Sequence, residues 1–303
     1  MEHHHSHHHH TALIGDSVNT AFIIGIILNF IFVVIEVGVG ITVHSLSLIS
    51  DAGHNLADVG ALALSLLAFK LMKVKSNAKY TYGYRKTSIL VALFNAMILL
   101  VSIGAIVYEA AHRLLDPQPL PGKTIAIVAG IGIFINACTA LLFMRDKEKD
   151  LNIKSAYLHL LSDAMVSLGL VTGGIVIFYT HWFWIDSFFS ILIALFILFS
   201  TWKLLQDSLR LSLDGVPVDI HLDDIKLLAS KIPGIQEIHH IHIWAISTKE
   251  NALTAHLVLS QNTSPDQEQK IKHKLKHELV HQNIHHVTLE TERAGEECET
   301  GDC

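Results

Sequence analysis

The chain has 303 residues, of which 50% are hydrophobic and only 17% charged, with a formal net charge of −6. A soluble globular protein carries roughly 25% charge, so the composition speaks against an ordinary soluble fold. The acidic balance gives no reason to expect nucleic acid as a partner.

The N-terminus reads MEHHHSHHHH and holds seven of the 22 histidines. Such a run binds metal by composition alone, whether it is a native metal-collecting tail or a purification tag, so residues 1–16 are set apart as a tail. The first apolar run is long and lacks a basic flank, unlike a cleavable signal peptide. Three cysteines are too few for a disulfide scaffold.

Six apolar stretches follow, at residues 20–43, 46–71, 88–111, 124–144, 153–179 and 183–205. Each is long enough for a bilayer crossing, which takes about 20 residues. Loop charges orient them. Lys70, Lys73, Lys75, Lys79, Arg85 and Lys86 stand at or beyond the end of the second stretch; Arg145, Lys147, Lys149 and Lys154 follow the fourth; Lys203 and Arg210 stand at or beyond the end of the sixth. The alternate loops hold little beyond Arg113 and Lys123, so the positive-inside rule predicts both termini in the cytoplasm.

After Asp214-Gly215-Val216-Pro217 the composition becomes that of a soluble domain. The patterning predicts a helix over 223–232, strands over 235–247 and 251–259, a helix over 265–281 and a strand over 285–292. The expected architecture is a membrane all-α six-helix transmembrane bundle at residues 17–212. A small α+β (α-β-β-α-β) cytoplasmic domain at 213–293 and an acidic, Cys-containing tail at 294–303 complete it.

Two motifs carry chemistry. The second stretch contains His54 and Asp58, and the fifth contains His159 and Asp163. In a helix, four-residue spacing puts each pair on one face, about one turn apart. Ionisable groups at that depth cost at least ~2.5–3.5 kcal/mol each and normally face the protein interior. Two imidazoles and two carboxylates make a tetrahedral set suited to a zinc-sized ion.

Depth is consistent with one shared site. At 1.5 Å per residue, the midpoints of the two pairs lie roughly 15 and 12 Å from the inner edge of a ~30 Å core. A lone intramembrane His or Asp is commonly an interhelical hydrogen-bond partner. Two copies of one spacing on antiparallel spans argue for a metal site instead. Asp51 shares the face approximately; it either orients His54 or is an interfacial carboxylate. Asn29, Glu36, Asn95, Glu109 and Asn136 either glue helices together or line a cavity, with Glu36 and Asn136 the first choices for the cavity.

The segments SLISDAGHNLADVGALALSLLA, YTYGYRKTSILVALFNA, LNIKSAYLHLLSDAMVSLG and IHHIHIWAIS resemble the cation diffusion facilitator family, in particular its bacterial zinc, cadmium and cobalt efflux branch. The resemblance covers nearly the whole chain after the histidine run. It implies a homodimeric metal–proton antiporter of the bacterial inner membrane with a metallochaperone-like cytoplasmic domain. It also implies that His54, Asp58, His159 and Asp163 bind the transported Zn2+. Some members bind a second metal through histidines in the loop after the second span; Tyr80, Tyr82 and Tyr84 stand there in this chain, so that site is not carried over.

By the same resemblance, His239 and His256 match positions that bind regulatory metal in relatives. Plain strand alternation puts His240 and His242 together and His239 on the opposite face. The last strand and tail add His285, His286, Glu290, Glu292, Cys298 and Cys303. The alternative is a set of surface histidines, and His273, His277 and His281 read as an exposed helical stripe.

The function expected from these features is divalent metal efflux, of Zn2+ with Cd2+ and Co2+, by metal/proton antiport through alternating access. Metal ligands must shed protons to bind, and histidine titrates near working pH. The alternatives are a membrane-bound metal sensor and an intramembrane zinc hydrolase. The His-Glu-x-x-His motif of zinc hydrolases is absent from both motifs, which points to a transporter and not an enzyme.

Overall fold

A computed structural model of the chain describes residues 11–42, 46–115, 122–180 and 184–295. Among them are six long helices: α1 (Thr11–Thr42), α2 (Leu46–Met72), α3 (Thr87–Leu115), α4 (Gly122–Met144), α5 (Leu151–Thr180) and α6 (Trp184–Ser212). Three strands and two shorter helices follow: α7 (Leu222–Ser230), β1 (Ile235–Ala245), β2 (Asn251–Leu259), α8 (Pro265–His281) and β3 (Ile284–Arg293). They form two compact units, Met1–Lys73 with Val91–Leu205, and Val74–Leu90 with Gln206–Cys303.

In the helical unit, α1 packs on α2, α2 on α5, α5 on α4, and α4 back on α1. Phe22 of α1 anchors this ring, its side chain 5.5 Å from the Phe69 ring of α2 and 4.7 Å from the Phe143 ring of α4. Leu62, Ile153 and Leu160 close the cluster. Two glycines allow α1 and α4 to approach: a Cβ at Gly25 would lie 2.8 Å from Thr139 Cγ2, and one at Gly132 would lie 2.9 Å from the Phe32 ring. Ile103 of α3 packs with Ala194 and Ile197 of α6.

The polarity of this unit runs opposite to that of a water-soluble bundle. The buried stripe of α1 includes Asn29 and Glu36, while Ile23, Ile27, Phe30, Ile31 and Val34 are exposed. Asn55, Asp58, Ser65, Asn95, Asn136, Thr139 and His159 are likewise buried, and Val101, Phe134, Phe196 and Phe199 face outward. Polar groups turned inward and apolar side chains turned outward suit hydrocarbon as the solvent.

Among the described residues, Asn19–Thr42 and Thr87–His112 are long and apolar enough on their own to cross a membrane. The motif residues lower the apolarity of α2 and α5, and parts of α4, α5 and α6 carry side chains outside the described residues. Helix ends exceed the apolar runs. α6 continues to Ser212 through Gln206 and Asp207 because backbone hydrogen bonding does not stop where hydropathy falls. α5 starts at Leu151 and is capped by Asp150, whose carboxylate accepts the Asn152 N–H at 2.8 Å.

In the sheet unit the strand order is β1-β2-β3, with β1–β2 antiparallel and β2–β3 parallel. β2 is central and contributes Leu253, Ala255, Leu257 and Leu259 to the core, against Ile225 and Ala229 of α7 and Ile271, Leu275 and Leu279 of α8. α8 opens with a capping box: the Ser264 hydroxyl accepts the Gln267 N–H, the Gln267 side chain accepts the Ser264 N–H, and Pro265 takes the first turn. The segment 74–90 belongs to this unit, where Arg85 pairs with Glu250, Lys86 with Asp214, and Ser88 Oγ accepts the Thr248 N–H at 3.1 Å.

Candidate metal sites

Two groups of described residues have the donor set and spacing for a metal ion. In the helical unit, Asp58 of α2 meets His159 and Asp163 of α5, with one ligand atom from each lying within 4.8 Å of the others. His159 Nε2 hydrogen-bonds Asp58 Oδ1 and lies 3.8 Å from Asp163 Oδ2. Tetrahedral ligands about 2.0–2.1 Å from a zinc lie roughly 3.3 Å apart, so modest side-chain motion would close the set on an ion. Asp58 is 2% exposed and His159 4%, so solvent does not reach these atoms directly.

The other predicted members of this site are only partly described. His54 and Asp51 lie on α2, but their side chains fall outside the described residues, as does that of Glu109. Asn55, inside the motif but given no role from sequence, is buried and donates Nδ2–H to Glu36 Oε2 of α1 at 2.8 Å. Its three-residue spacing from Asp58 is the signal that marks it as a neighbour of the site. Asn95 of α3 donates to Ser65 Oγ of α2 at 2.8 Å, and Asn29 to its own helix at Gly25 O. These two are structural hydrogen bonds.

In the sheet unit, His239, His256 and Glu292 form the second group, one ligand atom from each lying within 4.8 Å of the others. His256 Nδ1 lies 2.6 Å from Glu292 Oε1, and His239 Nε2 lies 3.3 Å from Glu292 Oε2. Glu290 Oε2 is 3.5 Å from His256 Nε2, with its side chain 72% exposed.

Strand β1 departs from plain alternation between His239 and His242. The ladder pairs His239 with His256 and His242 with Thr254, three residues spanning what two span on the partner, and His240 adopts φ +51°. This β-bulge shifts the parity of the strand. His239 therefore does not face away from His240: the His256 ring lies 5.5 Å from that of His239 and 4.8 Å from that of His240, whose own ring is 4.9 Å from His242.

His286 is not in this group; its ring meets Tyr82 edge-on at 5.3 Å. His285 is exposed, and Cys298 and Cys303 lie outside the described residues. On the other side of the sheet, Glu268 accepts from Lys272 Nζ at 2.7 Å, Thr291 Oγ1 at 2.8 Å and Arg293 at 3.1 Å. The hydrogen bonds from Lys272 and Thr291 hold its carboxyl below the ordinary value of 4.5.

Comparison with known proteins agrees with this arrangement of a helical and a sheet unit. Residues 22–211 match the family model of the cation efflux transmembrane domain, and residues 217–294 that of the cation efflux protein cytoplasmic domain. The metal cation efflux system protein CzcD of Cupriavidus metallidurans is 36% identical over 279 residues, covering 92% of this chain and 87% of that protein. The cadmium, cobalt and zinc/H(+)-K(+) antiporter of Bacillus subtilis is 35% identical, over 86% of this chain and 85% of its own length. The zinc transporter ZitB of Yersinia pestis is 33% identical, over 95% and 91%. With a transmembrane and a cytoplasmic domain matched in succession, the chain belongs to the cation efflux, or cation diffusion facilitator, family.

Proposed function

We propose that this chain exports divalent metal, zinc first with cadmium and cobalt as related substrates, from the cytoplasm in exchange for protons. His54, Asp58, His159 and Asp163 bind the ion within a bundle of six membrane-spanning helices. Both termini lie in the cytoplasm of a bacterial inner-membrane protein, and the chain works as a homodimer. The named relatives include a cadmium, cobalt and zinc/H(+)-K(+) antiporter and a zinc transporter, which supports the substrate class and the counter-ion.

One observation carries the exchange mechanism: the hydrogen bond between His159 Nε2 and Asp58 Oδ1. A hydrogen bond needs a proton on the line between the two atoms, and both atoms are metal ligands in this reading. Metal can take them only as that proton leaves, so metal and proton compete for one place. Asp163 Oδ2 lies 3.8 Å from the same Nε2 and competes for the same proton until it, too, is taken by the metal and the proton leaves to water. Since Asp58 and His159 are buried, an ion passes them only if the helices around them move, opening the pair to one side at a time. The sheet group of His239, His256 and Glu292, with His240 beside it, holds further metal of a regulatory kind. No described residue favours a metal sensor or an intramembrane hydrolase.

The test is zinc flux into proteoliposomes under an imposed pH gradient. Wild type takes up zinc faster when the vesicle lumen is acidic than when no pH gradient is imposed, and more slowly when the gradient is reversed. Asp163→Ala reduces flux by more than about 100-fold, beyond the ~10–100-fold that losing a partner outside the ligand set costs. Undiminished flux in that variant, or indifference to the gradient, refutes the reading.

A further inference from the structure

Among the described residues of the helical unit, Glu36 and Asp150 are buried carboxyls outside the proposed transport site, and Asp150 caps α5. Glu36 lies six residues before the C-terminal end of α1, fully buried at 0% exposure, on the same stripe as Phe22, Asn29 and Phe32. A carboxyl in a hydrocarbon-facing helix is costly and persists where the protein gives it a task. Here its Oε2 accepts the Nδ2–H of Asn55 at 2.8 Å, a bond joining α1 to α2 across 19 positions of sequence. Asn55 is itself buried, at 6% exposure.

The position of Asn55 gives the bond its meaning. It follows His54 in the chain and precedes Asp58 by three residues, so Asn55 and Asp58 lie on neighbouring turns of one α2 face. Rotating α2 by even one residue, about 100°, would break the Asn55–Glu36 bond and swing Asp58 away from His159 on α5. A side-chain amide can hydrogen-bond in many directions on a helix surface. Anchored to a buried carboxyl on another helix, it fixes the rotation of α2 about its axis.

We infer that Glu36 is a positioning residue for metal binding, acting through Asn55 to hold the α2 ligand face in register with α5. This rests on the transport-site reading above. It assigns Glu36 no contact with the ion; the role belongs to the hydrogen bond, not to a charge. A glutamine at 36 should therefore serve, since its amide oxygen accepts the same Nδ2–H.

The experiment measures initial zinc flux against zinc concentration, with the full chain in proteoliposomes. The variants are Glu36→Ala, Glu36→Gln, Asn55→Ala, the double Glu36→Ala/Asn55→Ala, and Asp58→Ala as control. Glu36→Ala and Asn55→Ala each raise the half-saturating zinc concentration about 10-fold, within the range for losing a partner of the ligand set, and leave the maximal rate near wild type. The double variant is no worse than Glu36→Ala alone, because Asn55→Ala removes a bond that Glu36→Ala has already removed. Glu36→Gln stays near wild type.

Unchanged half-saturation in Asn55→Ala overturns the inference, as does a double variant whose effects multiply. A Glu36→Gln variant as impaired as Glu36→Ala overturns it too, by showing that the carboxylate and not the bond matters. If Glu36→Ala does not yield monodisperse protein, Asn55→Ala and Glu36→Gln decide alone. The control separates the two levels: active Asp58→Ala removes the site reading, whereas inactive Asp58→Ala with indifferent Asn55→Ala removes only the clamp.

Discussion

The helical unit and the sheet unit present nearly the same ligand chemistry in opposite settings. In the first, Asp58 and His159 are buried among helices whose outer faces carry Ile, Phe and Val. In the second, His239, His256 and Glu292 lie partly open on a sheet whose opposite face carries the Leu and Ile of the core. Each unit hides what its solvent rejects: hydrocarbon rejects the ligands, and water rejects the aliphatic side chains. A buried ligand set can exchange metal only when the surrounding helices move, which suits a transported ion. Donor atoms open to water can equilibrate with free metal without any such motion.

Paired substitutions test that contrast most severely. His159→Ala should reduce zinc flux by more than about 100-fold, whereas His256→Ala should weaken zinc binding by the sheet unit about 10–100-fold and leave saturating flux near wild type. Proteoliposome flux and zinc titration with residue-resolved footprinting read the two effects. Equal losses of flux in both variants would erase the distinction between the sites.

The packing contrast is next. Leu275→Ala in the core of the sheet unit should cost about 2–5 kcal/mol, while Leu141→Ala, 60% exposed on α4, should stay within about 0.5 kcal/mol. Denaturant unfolding of the two purified variants compares them; similar losses would mean that the outer face of α4 is packed and not solvated by lipid or detergent.

The smallest expected effect is electrostatic and confined to the sheet unit. Glu268 is held below its ordinary value of 4.5 by its bonds to Lys272 and Thr291. The unfolded chain therefore binds a proton there more readily than the folded one. The stabilisation is present above pH 4.5 and is lost as pH falls through the lowered folded value. Glu268→Gln should be less stable than wild type at pH 7, with the gap closing as pH falls below 4.5 and through the lowered folded value. A gap that does not narrow on acidification would place the role of Glu268 in packing.

Much of this molecule is legible along the chain. The pattern over 251–259 and 265–281 coincides with β2 and α8, because alternation, the Ser264 box and Pro265 are local signals. The four-residue spacings of His54/Asp58 and His159/Asp163 rest on helical periodicity, which is equally local. The helix ends were less legible: α6 outlasts its apolar run, since hydropathy reports the solvent and hydrogen bonding reports the backbone. The strand face of His239 is not legible from alternation, because a single-residue bulge leaves no mark in composition yet reverses parity for every residue beyond it.

The sequence by itself determined that the chain meets lipid, that a small sheet domain follows, and which His and Asp residues share a helix face. Those properties depend on composition and on periods of two and 3.6 residues, both of which are written within a few turns of chain. Only the tertiary structure decided that Asp58 reaches across to His159, that Asn55 is tied to Glu36, and that His239 and His240 both stand against His256. Those contacts depend on how helices rotate and strands register against one another. Rotation and register follow from the packing of the whole unit, and no local segment encodes them.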